Sequence, residues 1–204
     1  MYRKPVVSFI VSLSVFALAL SLLRLFLSEE TSYLWLNWNL FLALLPLLFA
    51  WLAIHFSRQF LLNKVFLFLW LFFLPNAPYL ITDLIHLNTV APRSLVWYDG
   101  VMIFSYALVG VFVWLTSTLL LEQHFHWKKW VIWLIALLTG CGIYLGRNLR
   151  FNSWDIFYRP HHIFQETLSF FEGPFIDSIF FMSLIFATFL LVCYFAMQKI
   201  FKDK

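Results

Sequence analysis

The chain has 204 residues, of which 63% are hydrophobic and 12% charged, and its formal net charge is +4. Soluble domains carry roughly 25% charged residues, so this composition excludes an ordinary water-soluble protein and indicates a chain that lies in a lipid bilayer. The basic residues of such a chain occupy short loops and set its topology, so the positive charge does not indicate nucleic acid as a partner.

Apolar segments long enough to cross a hydrocarbon layer of about 30 Å recur along the chain. They predict six transmembrane helices, near residues 5–27, 38–56, 65–82, 98–121, 130–146 and 175–198. Lipid offers the backbone no hydrogen-bond partners, and the sequence lacks the alternation typical of barrel strands, so helices are expected. The first apolar run continues past Ala19 to Leu27, longer than a signal-peptide core, and we expect it to remain as a span. The prediction is an all-α polytopic transmembrane helix bundle, forming a single integral membrane domain over residues 1–204.

The third span contains the stretch PNAPYLITDLIHL, residues 75–87. Pro75 and Pro78 each lack a backbone donor and crowd the preceding turn, so the span is expected to break here. The freed carbonyls need other partners, and Asn76 can supply one. Beyond the break, α-helical steps of about 100° place the polar residues on one arc and the apolar residues opposite. The polar arc contains Asn76, Tyr79, Thr82, Asp83 and His86, and the opposite side contains Leu80, Ile81, Leu84, Ile85 and Leu87.

Asp83 and His86 are spaced i,i+3, so their side chains are expected on one helix face. A carboxylate beside an imidazole can hold a general base, orient a metal ligand or relay a proton, and both residues are candidate catalytic groups. Ionisable groups near membrane depth are costly, which favours a function. The alternative is a polar helix end in the interfacial region, with both side chains hydrated.

The fourth span begins with WYDG, residues 97–100, and Asp99 is the third candidate catalytic residue. Its alternative role is a solvated acid stabilised by the dipole at the helix N-terminus. From Asp99 one face continues through Tyr106, Gly110 and Ser117, which predicts a seam for packing against another helix.

The fifth span ends in a stretch rich in glycine and arginine. Gly142 and Gly146 have the G-x-x-x-G spacing that lets helices approach closely. Arg147 and Arg150 follow, and their guanidinium forks suit a carboxylate or phosphate, although they can instead pair with acidic residues of the chain such as Asp83, Asp99 or Asp155. The candidate substrate-binding residues are Asn76, Tyr79, Arg147, Arg150, Asn152 and Asp155.

A metal site is the weakest of these hypotheses. His162 and Glu166, spaced i,i+4, could join Asp83 and His86 as nitrogen and oxygen ligands of a Zn²⁺-like ion. The spacing matches no metalloenzyme signature such as H-E-x-x-H, so the sequence assigns no metal and the cofactor stays unknown.

The basic residues are distributed unevenly over the two sides of the six predicted spans. Nine lie on the side of the termini, namely Arg3, Lys4, Arg58, Lys64, Lys128, Lys129, Lys199, Lys202 and Lys204. Five lie on the other side, namely Arg24, Arg93, Arg147, Arg150 and Arg159. The positive-inside rule therefore predicts cytoplasmic N- and C-termini and an extracytoplasmic location for the candidate site residues.

Three blocks, LFFLPNAPYLITDLIHL, WYDG and IYLGRNLRFNSWD, together resemble an uncharacterised family of bacterial integral membrane proteins, domain-of-unknown-function family 1361. The resemblance covers roughly residues 35–195, and Asn148 departs from the aromatic residue expected at its position. It implies the architecture and a bacterial plasma-membrane setting for a multi-pass protein, and it implies no activity.

Three functions are compatible with these patterns. The first is an extracytoplasmic-facing polar pocket that binds or processes an anionic lipid-linked or small polar substrate. An accessory or scaffold subunit, whose polar groups are structural or dock another membrane protein, is the second. A small transporter or channel is the third, because broken helices at polar sites recur in transporters. The bilayer is the partner common to all three, and a lipid headgroup is a further candidate.

Overall fold

The structure is a computed structural model that describes residues 3–28, 33–87, 95–148 and 176–202. These residues form α1 (Arg3–Ser28), α2 (Trp35–His55), α3 (Phe60–Phe73), α4 (Asn76–Tyr79), a 3₁₀ segment (Leu80–His86), α5 (Val96–Phe125), α6 (Lys129–Asn148) and α7 (Ile176–Lys202). Six helical stretches in the described ranges are long and apolar enough to cross a membrane, namely Pro5–Leu27, Trp35–His55, Phe60–His86, Val96–Phe125, Lys129–Arg147 and Phe180–Ile200. The predicted all-α, six-span architecture is confirmed.

The chain divides into two compact units, Met1–Phe125 and His126–Lys204. In the first unit α5 is the central helix, and it packs on α1, α2, α4 and the 3₁₀ segment. In the second unit α6 packs along α7. The single membrane domain expected from the sequence stays a prediction.

The seam predicted along α5 is buried. Asp99, Tyr106, Gly110 and Ser117 all lie among the buried residues of this helix. At Gly110 the neighbouring backbone comes so close that an added Cβ would lie 1.9 Å from the carbonyl oxygen of Ala77. Glycine is therefore required where α4 lies against α5.

A second close approach holds the α6 and α7 pair together. A Cβ added to Gly140 would lie 2.3 Å from the carbonyl oxygen of Ser183. The sequence placed such an approach at Gly142 and Gly146, and the structure shows it one half-turn earlier on α6.

The third span breaks where the prolines predict. Helix α3 ends at Phe73, and α4 begins at Asn76. Pro78 cannot donate to the carbonyl of Leu74, which instead accepts the N–H of Ala77 at 3.2 Å. That N–H would otherwise serve the carbonyl of Phe73, and Asn76 Nδ2 donates to this oxygen at 3.0 Å. The break and the role of Asn76 in satisfying a freed carbonyl are confirmed.

Beyond α4 the chain winds as a 3₁₀ helix, which changes the faces expected from α-helical steps. About three residues complete a turn, so Leu80, Asp83 and His86 form one column along the segment. Leu80 and Asp83 are both buried, so the assignment of Leu80 to the side opposite Asp83 is wrong. The physical reason is the tighter i→i+3 bonding of the 3₁₀ segment, which brings every third residue onto one face.

Candidate functional site

Polar side chains of the first unit collect at one end of its spans. They come from the end of α1, the start of α2, the 3₁₀ segment and the start of α5, which lie on one membrane side because consecutive spans alternate in direction. We call this group the polar layer, and its members are Ser21, Arg24, Asn37, Asn39, Asp83, His86, Asp99 and Tyr106.

Arg24 and Asp99 form a buried ion pair between α1 and α5. The Nε atom of Arg24 donates to Oδ1 at 2.7 Å, and Nη2 donates to Oδ2 at 3.3 Å. The two side chains are 2% and 0% exposed, so the alternative of a solvated Asp99 is wrong. A carboxylate buried in a membrane span needs a charge partner, and Arg24 is that partner because it donates two hydrogen bonds to Asp99.

Neighbouring contacts hold this ion pair in place. The hydroxyl of Tyr98, the residue before Asp99, donates to the carbonyl of Leu20, one turn before Arg24 on α1. The guanidinium carbon of Arg24 lies 5.6 Å from the centre of the Tyr33 ring, within the range of a cation–π contact. Two successive residues of α5 thus form hydrogen bonds with α1 at positions one turn apart.

Asn37 links three helices with one amide. Its Nδ2 donates to Ser21 Oγ on α1 at 3.3 Å, and its Oδ1 accepts the hydroxyl of Tyr106 on α5. Both ends of the amide are used, so this polar residue in α2 has partners inside the helix group.

Asp83 and His86 differ in burial, although they lie in the same column of the 3₁₀ segment. Asp83 is 0% exposed, and its Oδ2 accepts a hydrogen bond from Asn39 Nδ2 at 3.4 Å. The hydrated alternative is therefore wrong for Asp83. His86, one 3₁₀ turn later, is partly exposed, and its ring meets Trp35 edge to face at 5.2 Å. The column thus runs from a buried carboxylate to an accessible imidazole.

The remaining predicted substrate residues are distributed differently. Asn76 and Tyr79 are half-buried in α4, and the carbonyl of Tyr79 accepts Thr82 Oγ1 at 2.7 Å. Arg147 is half-buried near the end of α6 in the second unit. Arg150, Asn152 and Asp155 lie outside the described residues. Their substrate-binding role stays a prediction.

The metal hypothesis also stays a prediction. Across the described ranges, no group of three or more His, Cys, Asp and Glu side chains is placed to hold an ion. His162 and Glu166 lie outside those ranges, so the hypothesis that they complete a site with Asp83 and His86 is untested.

Sequence reasoning missed four members of the polar layer, namely Ser21, Arg24, Asn37 and Asn39. Arg24 carried a signal, because a charged residue within an apolar span is costly and demands a partner. Asn37 and Asn39, in the stretch WLNWNL, lie about 200° apart around α2. Their amides accordingly reach two targets, Tyr106 and Asp83.

A family model described as "Protein of unknown function (DUF1361)" matches residues 38–193. The matched stretch includes Asn39, Asp83, His86 and Asp99, whereas Arg24 precedes it. No curated protein and no solved structure matches the chain.

Proposed function

The chain belongs to the DUF1361 family, whose description states no activity, and we propose on that premise that its polar layer binds a small polar or lipid-linked substrate. The observation that carries the proposal is the column in the 3₁₀ segment, where buried Asp83 is followed one turn later by accessible His86. Broken backbone at membrane depth is typical of places that line a cavity or pack inside protein, and ionisable groups there usually serve a function.

The chemistry of the column indicates the substrate class. A carboxylate accepts hydrogen bonds and protons, and an imidazole exchanges a proton near neutral pH, so the pair suits a substrate that presents hydroxyl or amine groups. The edge-to-face contact between Trp35 and His86 restricts the orientation of the imidazole ring. In this proposal His86 contacts the substrate and Asp83 tunes or exchanges its proton.

Asp99 has a positioning role in the proposal. Both of its carboxylate oxygens accept hydrogen bonds from Arg24, which leaves the pair suited to holding α1 against α5. The proton chemistry is thus assigned to Asp83 and His86, and Asp99 shapes the helix group around them.

That the substrate is anionic rests on the sequence alone. Arg147 and Arg150 are groups suited to a phosphate or carboxylate, and their substrate-binding role stays a prediction. The nine-to-five distribution of basic residues supports cytoplasmic termini, so in this proposal the site faces the extracytoplasmic side. The resemblance described above supports a bacterial cell membrane as the setting.

The test compares two nearly isosteric variants of the full chain. Asp83→Asn removes the charge while its amide oxygen can still accept from Asn39, and Thr82→Val removes a hydroxyl that donates to the backbone carbonyl of Tyr79, one turn earlier. Native mass spectrometry of the detergent-purified proteins measures co-purified polar ligands. We expect Asp83→Asn to lower ligand occupancy about tenfold with little change in melting temperature, and Thr82→Val to retain the ligand.

A scaffold role is the second candidate, and a specific observation favours it. The Arg24–Asp99 pair and the amide of Asn37 satisfy much of the polar layer internally. Equal ligand occupancy in the wild type, Asp83→Asn and Thr82→Val would contradict the binding proposal and favour a scaffold that docks another membrane protein. The transporter hypothesis rests on the broken third span and stays a prediction.

A further inference from the structure

A groove of about 470 Å³ lies between α1 and α2, on the half of the first unit opposite the polar layer. Helix α1 packs mainly on α5, α2 packs on α3 and α5, and α1 and α2 make little contact with each other, which leaves a gap between them. Ile10 and Ser14 in the lining are buried and Leu120 of α5 is half-buried, while Val11 and Trp51 form exposed rims. The groove therefore opens toward the bilayer.

The lining of the groove suits hydrocarbon. Ser14 is its one polar side chain, and the Ser14 hydroxyl donates to the carbonyl of Ile10 at 2.8 Å within α1. No hydrogen-bonding group in the lining demands a polar occupant, and the helices on both sides are membrane spans. An apolar chain is the occupant that this lining stabilises.

The length of the groove corresponds to one leaflet. On α1 the lining runs from Val7 to Val15, which at 1.5 Å per residue covers about 12 Å along the helix. The hydrocarbon core of a bilayer is about 30 Å thick, so the groove reaches from near the end of the helices almost to the midplane. An acyl chain from the adjacent leaflet has this reach.

An imidazole and a guanidinium lie beyond the mouth of the groove. Trp51 on the rim stacks on His55 with ring centres 5.4 Å apart, and His55 is exposed at the end of α2. Arg58 is exposed in the turn that follows. Glu122 of α5 is two residues beyond Leu120, about 200° around the helix, so its carboxylate lies on the far face from the groove.

We infer that this groove is a binding site for a phospholipid with an anionic headgroup, whose acyl chain lies between α1 and α2 and whose phosphate is held near His55 and Arg58. An aromatic side chain at the interface beside a cation is a common arrangement for lipid contact. This site is separate from the polar layer, and in the proposed orientation it draws its lipid from the cytoplasmic leaflet.

The test is a lipid titration of the delipidated full chain in detergent, read by native mass spectrometry. The probes are phosphatidylglycerol and phosphatidylcholine with identical acyl chains. We expect the wild type to bind phosphatidylglycerol about fivefold more tightly, the effect of roughly one cation near an anionic headgroup. Arg58→Gln, at an exposed turn, is expected to abolish that preference, because it should weaken the binding of net-anionic phosphatidylglycerol more than that of zwitterionic phosphatidylcholine.

A groove-filling variant tests the acyl chain separately. Leu47→Trp adds bulk to the lining, and Leu23→Trp adds the same bulk at an exposed position of α1 outside the groove. Binding of either lipid should fall at least fivefold in Leu47→Trp and stay unchanged in Leu23→Trp. Equal wild-type affinity for the two lipids, or a wild-type dimer that binds neither because a second copy covers the groove, would overturn the inference. The Arg58→Gln result decides the matter if Leu47→Trp fails to fold.

Discussion

Arg24 and Asp99, 75 positions apart in the chain, are joined by two charge-assisted hydrogen bonds inside the membrane-spanning part of the first unit. The pair connects the end of the first span with the start of the fourth, so it fixes which faces of α1 and α5 meet. A slide of one helix by a single turn would separate two buried charges. The ion pair therefore specifies one alignment of these helices.

Removing one partner of this pair should be strongly destabilising. Arg24→Gln leaves Asp99 buried without its cation, and we expect a loss of about 3–5 kcal/mol in the free energy of unfolding. Thermal melting in detergent micelles measures the effect. The double variant Arg24→Met with Asp99→Leu removes both charges and should be more stable than Arg24→Gln. A double variant as unstable as the single one would show that the electrostatic pairing is unimportant.

Gly110→Ala should separate α4 from α5. The added methyl would lie 1.9 Å from the carbonyl oxygen of Ala77, which is backbone and can move only with its helix. We expect a destabilisation of about 1–3 kcal/mol or more, as for other overpacked sites. Gly100→Ala is the matched control on the same helix, because its methyl would meet only Leu87 Cδ2 at 3.9 Å. Equal melting temperatures for the two variants would contradict this packing.

Asn76→Leu should destabilise the protein, and the loss should be larger when Pro78 is present. The variant leaves the carbonyl of Phe73 without the Asn76 amide, and we expect a loss of about 1–3 kcal/mol. In a Pro78→Ala background residue 78 regains an N–H for Leu74, which lets Ala77 donate to Phe73 again. Asn76→Leu should then lower the free energy of unfolding by less. Urea unfolding of the wild type, the two single variants and the double variant measures the coupling energy between the two positions. If Asn76→Leu lowers the free energy of unfolding equally in both backgrounds, the Asn76 amide does not compensate for the helix break at Pro78.

The proposed orientation is tested by two engineered cysteines in a Cys141→Ala/Cys193→Ala background. Gln59 lies at the exposed connection between α2 and α3, and Trp97 is 88% exposed at the start of α5. A membrane-impermeant maleimide added to intact cells should label Trp97→Cys and should label Gln59→Cys only after permeabilisation. The opposite pattern would place the termini outside.

The sequence predicted those features that depend on local chemistry. Span length and number follow from the thickness of the bilayer, and the break at Pro75 and Pro78 follows from two missing donors. The buried face of α5 followed from the spacing of Asp99, Tyr106, Gly110 and Ser117. Each of these inferences needs only neighbours within one helix.

Features that depend on distant contacts were not predictable from one sequence. Asp99 pairs with Arg24 because α1 packs against α5. The sequence alone offered Arg147 and Arg150 as partners instead. The 3₁₀ winding after Tyr79 was missed because a standard α-helical period was assumed beyond the break. The amides of Asn37 and Asn39 gained their roles only once α2 faced both α5 and the 3₁₀ segment.

The 3₁₀ winding also affects how the third span matches the bilayer. Helix α3 has 14 residues and a length of about 21 Å, too short for a hydrocarbon core of about 30 Å. The seven residues of the 3₁₀ segment rise about 2.0 Å each, so they extend about 14 Å where an α-helix would extend about 10 Å. The whole stretch Phe60–His86 has 27 residues and is longer than the hydrocarbon core, so the winding that aligns Asp83 with His86 carries His86 about 4 Å further along the span than an α-helix would. A one-residue deletion between Leu80 and Asp83 would alter both the column and the depth of His86 in the membrane.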